Sequence, residues 1–503
     1  MAKHLVHMHS TVVEEGQPKL PEVSTIQYGE LAVNYAKDHE TISFKNSSDE
    51  IVTVKSDAYY QEKLDSKQDT LIPGTGVEIT EDNTINVLME DLMSYGIEFD
   101  VTVSSPECTR IGNMDLHRSL PVQSKMRGCL LSDDGNVNHY LNGTDWTSET
   151  RDGSAGQVMV EIPEHWRKFE TDGNKRRVRI SEVALPGYHR VRRCYVSAYE
   201  AALQRSTTTL CSVVNMDPDY RGGNNTTGWD GTYRTLLGRP ATSINRTNFR
   251  AYARKRKSGS TEWNCQTYEV RKTLYWLFVT EYATLNSQKE YSEARDENGF
   301  MQGGLGAGVT TLSDWVGFNN YNPFVPCGHT DALGNRSGIV EYQIPSEYTG
   351  STNTFNVPRY RGIENPFGHV WEWTDGCNIR IQPGSTGLSM VYVTDNPSIF
   401  NDSNYDGYKY LGDEARPEGY MRTMIFGDEG CIIPDTVGGS STTYFCDYHY
   451  TIIPASETLR GLLSGGNAYL GSAAGLVYSY SNYAPASSSA DVGSRLVFYP
   501  ANI

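Results

Sequence analysis

Residues 464–494 form a run of 31 in which 25 are Ser, Ala, Gly, Tyr or Asn, and the single charge is Asp491. A linker of small polar residues would stay flexible, but this run also carries Tyr469, Tyr478, Tyr480 and Tyr483. Strand-like phrases bracket it, Leu459-Arg460-Gly461-Leu462-Leu463 before and Arg495-Leu496-Val497-Phe498 after. Any fold of this chain must hold a long, apolar-poor segment between two closing strands. Tyrosine offers a large amphipathic face at low entropic cost, while Ser, Gly and Asn give room and adaptable hydrogen bonds, the combination found in binding loops. The run therefore reads as a binding surface held by a frame.

The remaining composition describes a loop-rich globular chain. Hydrophobic residues make up 38%, with 47 Gly and 21 Pro, which is low in apolar content but not low enough for disorder. At about 150 residues per domain, 503 residues correspond to about three domains. Tyr outnumbers Phe 33 to 14, and Phe packs an interior without needing a hydroxyl partner, so many rings are expected at surfaces or interfaces. Asp plus Glu (61) exceeds Lys plus Arg (44), a formal charge of −17 that argues against gripping nucleic-acid phosphates or an anionic membrane. The longest apolar run, LYWLFV at 274–279, falls far short of the roughly 18 residues of a membrane span. The start, MAKHLVHMHSTVVEEG, shows no h-region or cleavage site, so the chain is expected to stay in a cytoplasm or to leave it in a particle released by lysis. Nine cysteines without a Cys-x-x-Cys pair fit neither a disulfide framework nor a zinc knuckle, and are expected as free, mostly buried thiols.

Residues 1–56 read as a β-rich module of short strands at 29–35, 41–46 and 50–54, the latter two alternating with period 2. It has too little core to stand alone. Residues 57–96 read as a neck and shaft. The polar, helix-capable SDAYYQEKLDSKQD at 56–69 places Tyr60 and Leu64 on one face, either as a solvated linker helix or as a three-chain bundle. Two short strands follow, joined at Glu81-Asp82-Asn83. The phrases GELAVNYAK, ISFKN and KQDTLIPGTGVEITEDNTINV resemble the N-terminal and shaft modules of bacteriophage tail fibres. That resemblance implies attachment to other tail proteins through the N-terminus, a homotrimer, and a place in the virion.

Residues 97–157 read as an intermediate, mostly-β region with turns at Asp133-Asp134-Gly135 and Asn142-Gly143. From 158 to 503 the chain is Trp- and Tyr-rich without a clean linker, a large head of α+β pattern. One helix is expected at 268–282, with Leu274, Leu277 and Phe278 at i, i+3 and i+4 packing against a sheet. In Val370-Trp371-Glu372-Trp373 the apolar residues supply a sheet core, and Glu372 needs a buried partner or a solvent face. The phrase at 357–376 resembles the formylglycine-generating-enzyme branch of the C-type lectin fold, and the phrases at 459–468 and 493–498 are similar to its final strands. Residues 464–494 resemble the variable region of a diversity-generating retroelement target protein. This implies a fixed frame of Gly465, Gly466, Ala468, Gly471, Ala474, Gly475, Leu476, Gly493, Arg495 and Leu496. Asn467, Tyr469, Leu470, Ser472, Tyr478, Tyr480, Ser481, Tyr483, Ser487, Ser488 and Ser489 would be diversified positions touching a host bacterial surface protein or glycan.

Catalytic signals are thin. The oxidases of the formylglycine branch use a cysteine pair near the C-terminal end, where this chain reads Gly471-Ser472-Ala473-Ala474-Gly475-Leu476-Val477. Cys431 and Cys446, separated by a Gly-Ser loop, are the weak alternative. His4, His7 and His9 lie in a starting arm, and His165, His189, His369 and His449 show no metal spacing. The Asp-rich segment 395–407 lacks full EF-hand spacing, and no cofactor is implied. The reading is a phage tail-fibre receptor-binding protein without enzymatic chemistry. Its rivals are a bacterial surface display protein with the same head, and an enzyme, either a formylglycine-type oxidase or a glycan depolymerase.

Overall fold

The alternating phrases near the N-terminus become a sheet. In the computed structural model, which describes residues 7–14, 17–28, 30–37, 39–55, 77–79, 85–87, 89–345 and 353–501, the strands His7–Ser10, Leu31–Asn34, Thr41–Lys45 and Ile51–Lys55 lie side by side in that order. They belong to a unit spanning Met1–Asn86. Its alternation is inside out. Asn34, Thr41 and Ser43 are buried, whereas Ile42 and Val54 are 45% and 51% exposed. The register sets Val33, Ile42 and Val54 in one row across three strands, an apolar stripe facing outward. The buried polar groups are satisfied: Asn34 Nδ2 donates to the Val12 carbonyl at 2.8 Å, and Ser43 and Thr53 share a 2.8 Å hydroxyl bond. Strands Val77–Ile79 and Ile85–Val87 pair with each other, as the turn phrase between them predicts. The helix expected at 56–69 lies outside the described residues.

The second unit spans Val87–Ile503. Residues 97–157, expected as an intermediate region, are built into it. Ser94–Asp100 sits between Thr109–Gly112 and Lys175–Ser181 in a five-stranded sheet, and Arg127–Leu131 pairs with Gln157–Ile162 in a six-stranded one. The reason is packing, since Phe99, Leu130 and Trp146 are buried in the same core as the residues of helix Tyr268–Tyr282. In the six-stranded sheet Leu496–Phe498 lies between Cys194–Ser197 and the edge strand Trp263–Cys265, which ties three distant stretches of sequence together. A nine-stranded sheet is centred on the long strand Trp371–Ile381 and its neighbour Thr458–Ser464. Strands and a few segregated helices make the class α+β. No helix among the described residues is long and apolar enough to cross a membrane.

Helix Tyr268–Tyr282 appears where its periodicity predicts. The Thr267 hydroxyl caps it by accepting from the Val270 amide, and Ala283 ends it in the left-handed conformation. Almost every residue of the helix is buried, not only the Leu274, Leu277 and Phe278 face, because it lies in the middle of the core. Around Trp276 stand Phe99, Phe169 and Phe426 at centroid distances of 6.4, 5.8 and 5.6 Å. The helix is also tied by charge: Glu372 accepts from Arg271 at 2.8 Å and from Arg495 at 2.6 Å, all three fully buried. The partner that Glu372 required is thus a pair of arginines joining the helix, the tryptophan strand and the closing strand.

Candidate functional site

The two-residue strand Ser479–Tyr480 lies between Thr458–Ser464 and Tyr448–Tyr450, antiparallel to the first and parallel to the second. Leu463 faces Tyr480 in one register, and Tyr450 faces Tyr480 in the other. Period 2 then turns Tyr448, Tyr450, Tyr478 and Tyr480 to one side of the sheet, and His449, Ser479 and Ser481 to the other. The tyrosines meet Trp371, which reaches the same face. Tyr420, Tyr448, Tyr478, Trp371 and Tyr480 form a continuous ladder with successive centroids 5.1, 5.8, 4.7 and 5.1 Å apart. At Tyr480 the ladder branches to Tyr450, stacked at 5.0 Å, and to Tyr483, edge-on at 5.3 Å. Such pairs add about 0.5–1.5 kcal/mol each beyond the area they bury. The ladder is therefore a preorganised aromatic platform, half-buried at Tyr448, Tyr450, Tyr480 and Tyr483.

Buried polar groups pin the platform from beneath. His449 accepts from the Ser479 hydroxyl at its Nδ1 and donates from Nε2 to the Ala415 carbonyl, both at 2.7 Å. Burial holds its pKa down to about 4, so the ring is neutral. Glu414 Oε1 accepts from Ser481 at 2.7 Å and from Thr451 at 2.9 Å, and burial raises its carboxyl to about 7. Asp447 accepts from the Val477 amide at 2.8 Å, and burial raises it to about 8. Gly475 packs against this carboxylate so closely that a Cβ there would sit 1.9 Å from Asp447 Oδ1. Gly466 is needed for its backbone, with φ +81° and Ala474 Cβ 2.8 Å from where a side chain would begin.

The expected contact residues divide between surface and interior. Tyr469 is 47% exposed and stands beside Tyr321 and Trp315 at 5.9 and 6.4 Å. Ser472 and Ser488 are exposed; Leu470, Tyr480, Tyr483, Ser487 and Ser489 are half-buried. Asn467, Tyr478 and Ser481 are buried. Asn467 donates to Asp491 at 2.9 Å, Ser481 donates to Glu414, and Tyr478 packs under Trp371, so these three support the surface and do not face solvent. Of the expected frame, Ala468, Ala474, Leu476, Arg495 and Leu496 are buried. Tyr420, Tyr448 and Tyr450 belong to the ladder although sequence reasoning passed over them; the alternation Tyr448-His449-Tyr450 was the signal available. The hydroxyl of Tyr480 is pushed up to about 12, chiefly by burial, so it remains neutral, and it accepts from Asn482 at 3.3 Å.

Cys431, Cys446, His369 and Asp402 each have surroundings of their own. Burial raises the thiols of Cys431 and Cys446 to about 11 and about 12, far from a reactive thiolate. His369 Nδ1 lies 2.6 Å from Glu200, but its Nε2 already accepts two backbone amides, from Phe324 at 3.0 Å and Val325 at 3.1 Å. In the Asp-rich segment, Asp402 Oδ1 is taken by Arg246 and Arg250, both at 2.8 Å. Among the described residues no cluster of three or more His, Cys, Asp or Glu is placed to hold a metal ion.

No family model and no curated protein matches this chain. Among solved structures, that of PvdO from Pseudomonas aeruginosa aligns at 12% identity with a TM-score of 0.30, covering 69% of this chain and 96% of that one. A Major Tropism Determinant M1 variant aligns at 11% identity with a TM-score of 0.21, covering 98% of each chain. Scores of this size do not establish a shared fold.

Proposed function

We propose that the chain is the receptor-binding protein of a bacteriophage tail fibre. Its second unit is a C-type-lectin-like head that grips a host surface protein or glycan through a diversified tyrosine surface and performs no chemistry. The observation that carries this reading is the aromatic ladder: half-exposed tyrosines held on a sheet by buried Glu414, His449 and Asp447, with the small-residue run 464–494 laid across it. Held rings at a partly open face are what a hot spot requires, since little conformational entropy remains to be lost on binding. The outward apolar row Val33, Ile42 and Val54 supports the second half of the proposal, a homotrimer whose N-terminal units cover this face in one another and attach the fibre to the virion.

The test is the full-length triple variant Tyr450→Ser, Tyr480→Ser and Tyr483→Ser, assayed for adsorption to a panel of bacterial strains. Binding should be lost or redirected while the head still melts cooperatively. Unchanged affinity for the same strains would place recognition elsewhere.

A further inference from the structure

A cleft of about 410 Å³ opens beside the first turn of helix Tyr268–Tyr282, away from the tyrosine surface in its lining. Five of its side chains form an alternating chain of charge. Arg167 Nη2 donates to Glu269 at 2.5 Å, Lys272 Nζ lies 3.0 Å from Glu269 and 4.0 Å from Glu429, and Lys409 Nζ lies 2.6 Å from Glu429. Three cations share two carboxylates, so the chain ends in a cation at both ends. With Arg190 and Asp395 counted, the lining holds four permanent cations and three carboxylates, and His189 stands among them. Arg190 is already engaged, its Nε donating to Glu164 at 2.8 Å.

Lys272 is the centre of the argument. It is 3% exposed, yet its ammonium, with three donors, has one carboxylate at hydrogen-bond distance and the next at 4.0 Å. Burial pulls its pKa below the ordinary lysine value, the mark of a charge not fully compensated by its surroundings. An anion entering the cleft would supply the missing partner. The volume lies within the range of about 300–1,000 Å³ typical of small-molecule sites, but those are lined mostly by apolar groups and this one by charge, so its occupant must be polar. Arg190 also lines a second cleft of about 410 Å³ with Glu161, Glu164, Arg192 and Arg193, so polar groups continue on its other side. Mixed donors and acceptors of this kind match the hydroxyls of a sugar.

We propose that these two clefts, which share Arg190, bind an anionic sugar, with its carboxylate or phosphate beside Lys272 and Lys409 and its hydroxyls toward Arg190. The site shares no lining residue with 464–494. The test is calorimetric titration of the full chain at low ionic strength and pH 7 with D-glucuronate, glucose 6-phosphate, glucose and inorganic phosphate. At least one anionic sugar should bind and glucose should not, and the tighter of the two identifies carboxylate or phosphate as the group recognised. The double variant Lys409→Gln, His189→Gln, which leaves the buried Arg167–Glu269–Lys272 pairs intact, should lose about tenfold in affinity. The tyrosine triple variant should bind as the parent does, which separates this site from the recognition surface. Absence of binding by both anionic sugars, equal binding of glucose, inorganic phosphate binding as tightly as the tighter anionic sugar, or full affinity in the double variant would each overturn the proposal.

Discussion

A tyrosine serves a recognition surface best when its ring is held and its edge is open, and the four tyrosines of residues 464–494 differ in this respect. Tyr478 is 4% exposed beneath Trp371, while Tyr480 and Tyr483 are half-buried and Tyr469 is nearly half exposed. Tyr478→Ser should therefore act on stability, removing a buried ring at about 3 kcal/mol or more. Tyr469→Ser should stay within about 0.5 kcal/mol. Thermal melts of the two single variants check this, and equal melting temperatures would mean that Tyr478 is not the support it looks like. Arg495 gives a sharper case. With Glu372 and Arg271 it forms a buried triad, and Arg495→Ala leaves Glu372 short of a partner at a cost of about 3–5 kcal/mol. A melt of the head unchanged by that substitution would contradict the triad. In the sequence Glu372, a carboxylate between two tryptophans, calls for a buried partner or a solvent face, and the fold supplies the partner. The sequence does not point to Arg271 or Arg495, which lie 101 and 123 positions away and are brought near only by the tertiary fold.

At the scale of elements, period was readable and burial was not. The helix Tyr268–Tyr282 carries its own signal, an i, i+3, i+4 apolar pattern, and it forms where that points. That it is buried all round depends on what surrounds it. The same holds for the N-terminal strands. Their alternation was legible, but the face covered by neighbouring chain is the polar one, which leaves Ile42 and Val54 outside. An exposed apolar row on a unit of this size is a liability unless another surface covers it. Sedimentation of the full chain should give a species of about three chain masses at micromolar concentration, and Ile42→Asp with Val54→Asp should shift it toward monomer. A monodisperse parental monomer would contradict the assembly.

Across the whole molecule, the unit that begins at Val87 draws residues 97–157 into its sheets, a joining that sequence could not show because strand partners there are separated by tens to hundreds of residues. The interior of that unit also sets a pH dependence. Glu364 and Glu414 are raised to about 7 and Asp447 to about 8 by burial, so the stability they lend is present below their ordinary carboxylate values and is lost as pH rises through 7 to 8. His117, His165 and His449 are lowered to about 4, so their contribution is present above 6.5 and lost as pH falls toward 4. Between these limits the two sets oppose each other, and above 6.5 only the acids still titrate. Calorimetry should show the melting temperature of the head falling from pH 6.5 to 8, with Glu414→Gln reducing the fall. A melting temperature that rises through that window would contradict the assignment.

Recognition by the tyrosine ladder can be read directly by hydroxyl-radical footprinting of the full chain bound to intact cells of a susceptible strain. Tyr450, Tyr480 and Tyr483 should be protected on binding, while Tyr410, 48% exposed on another strand of the same sheet, should react as it does in the free protein. Protection at Tyr410 with Tyr450, Tyr480 and Tyr483 still reactive would contradict the account.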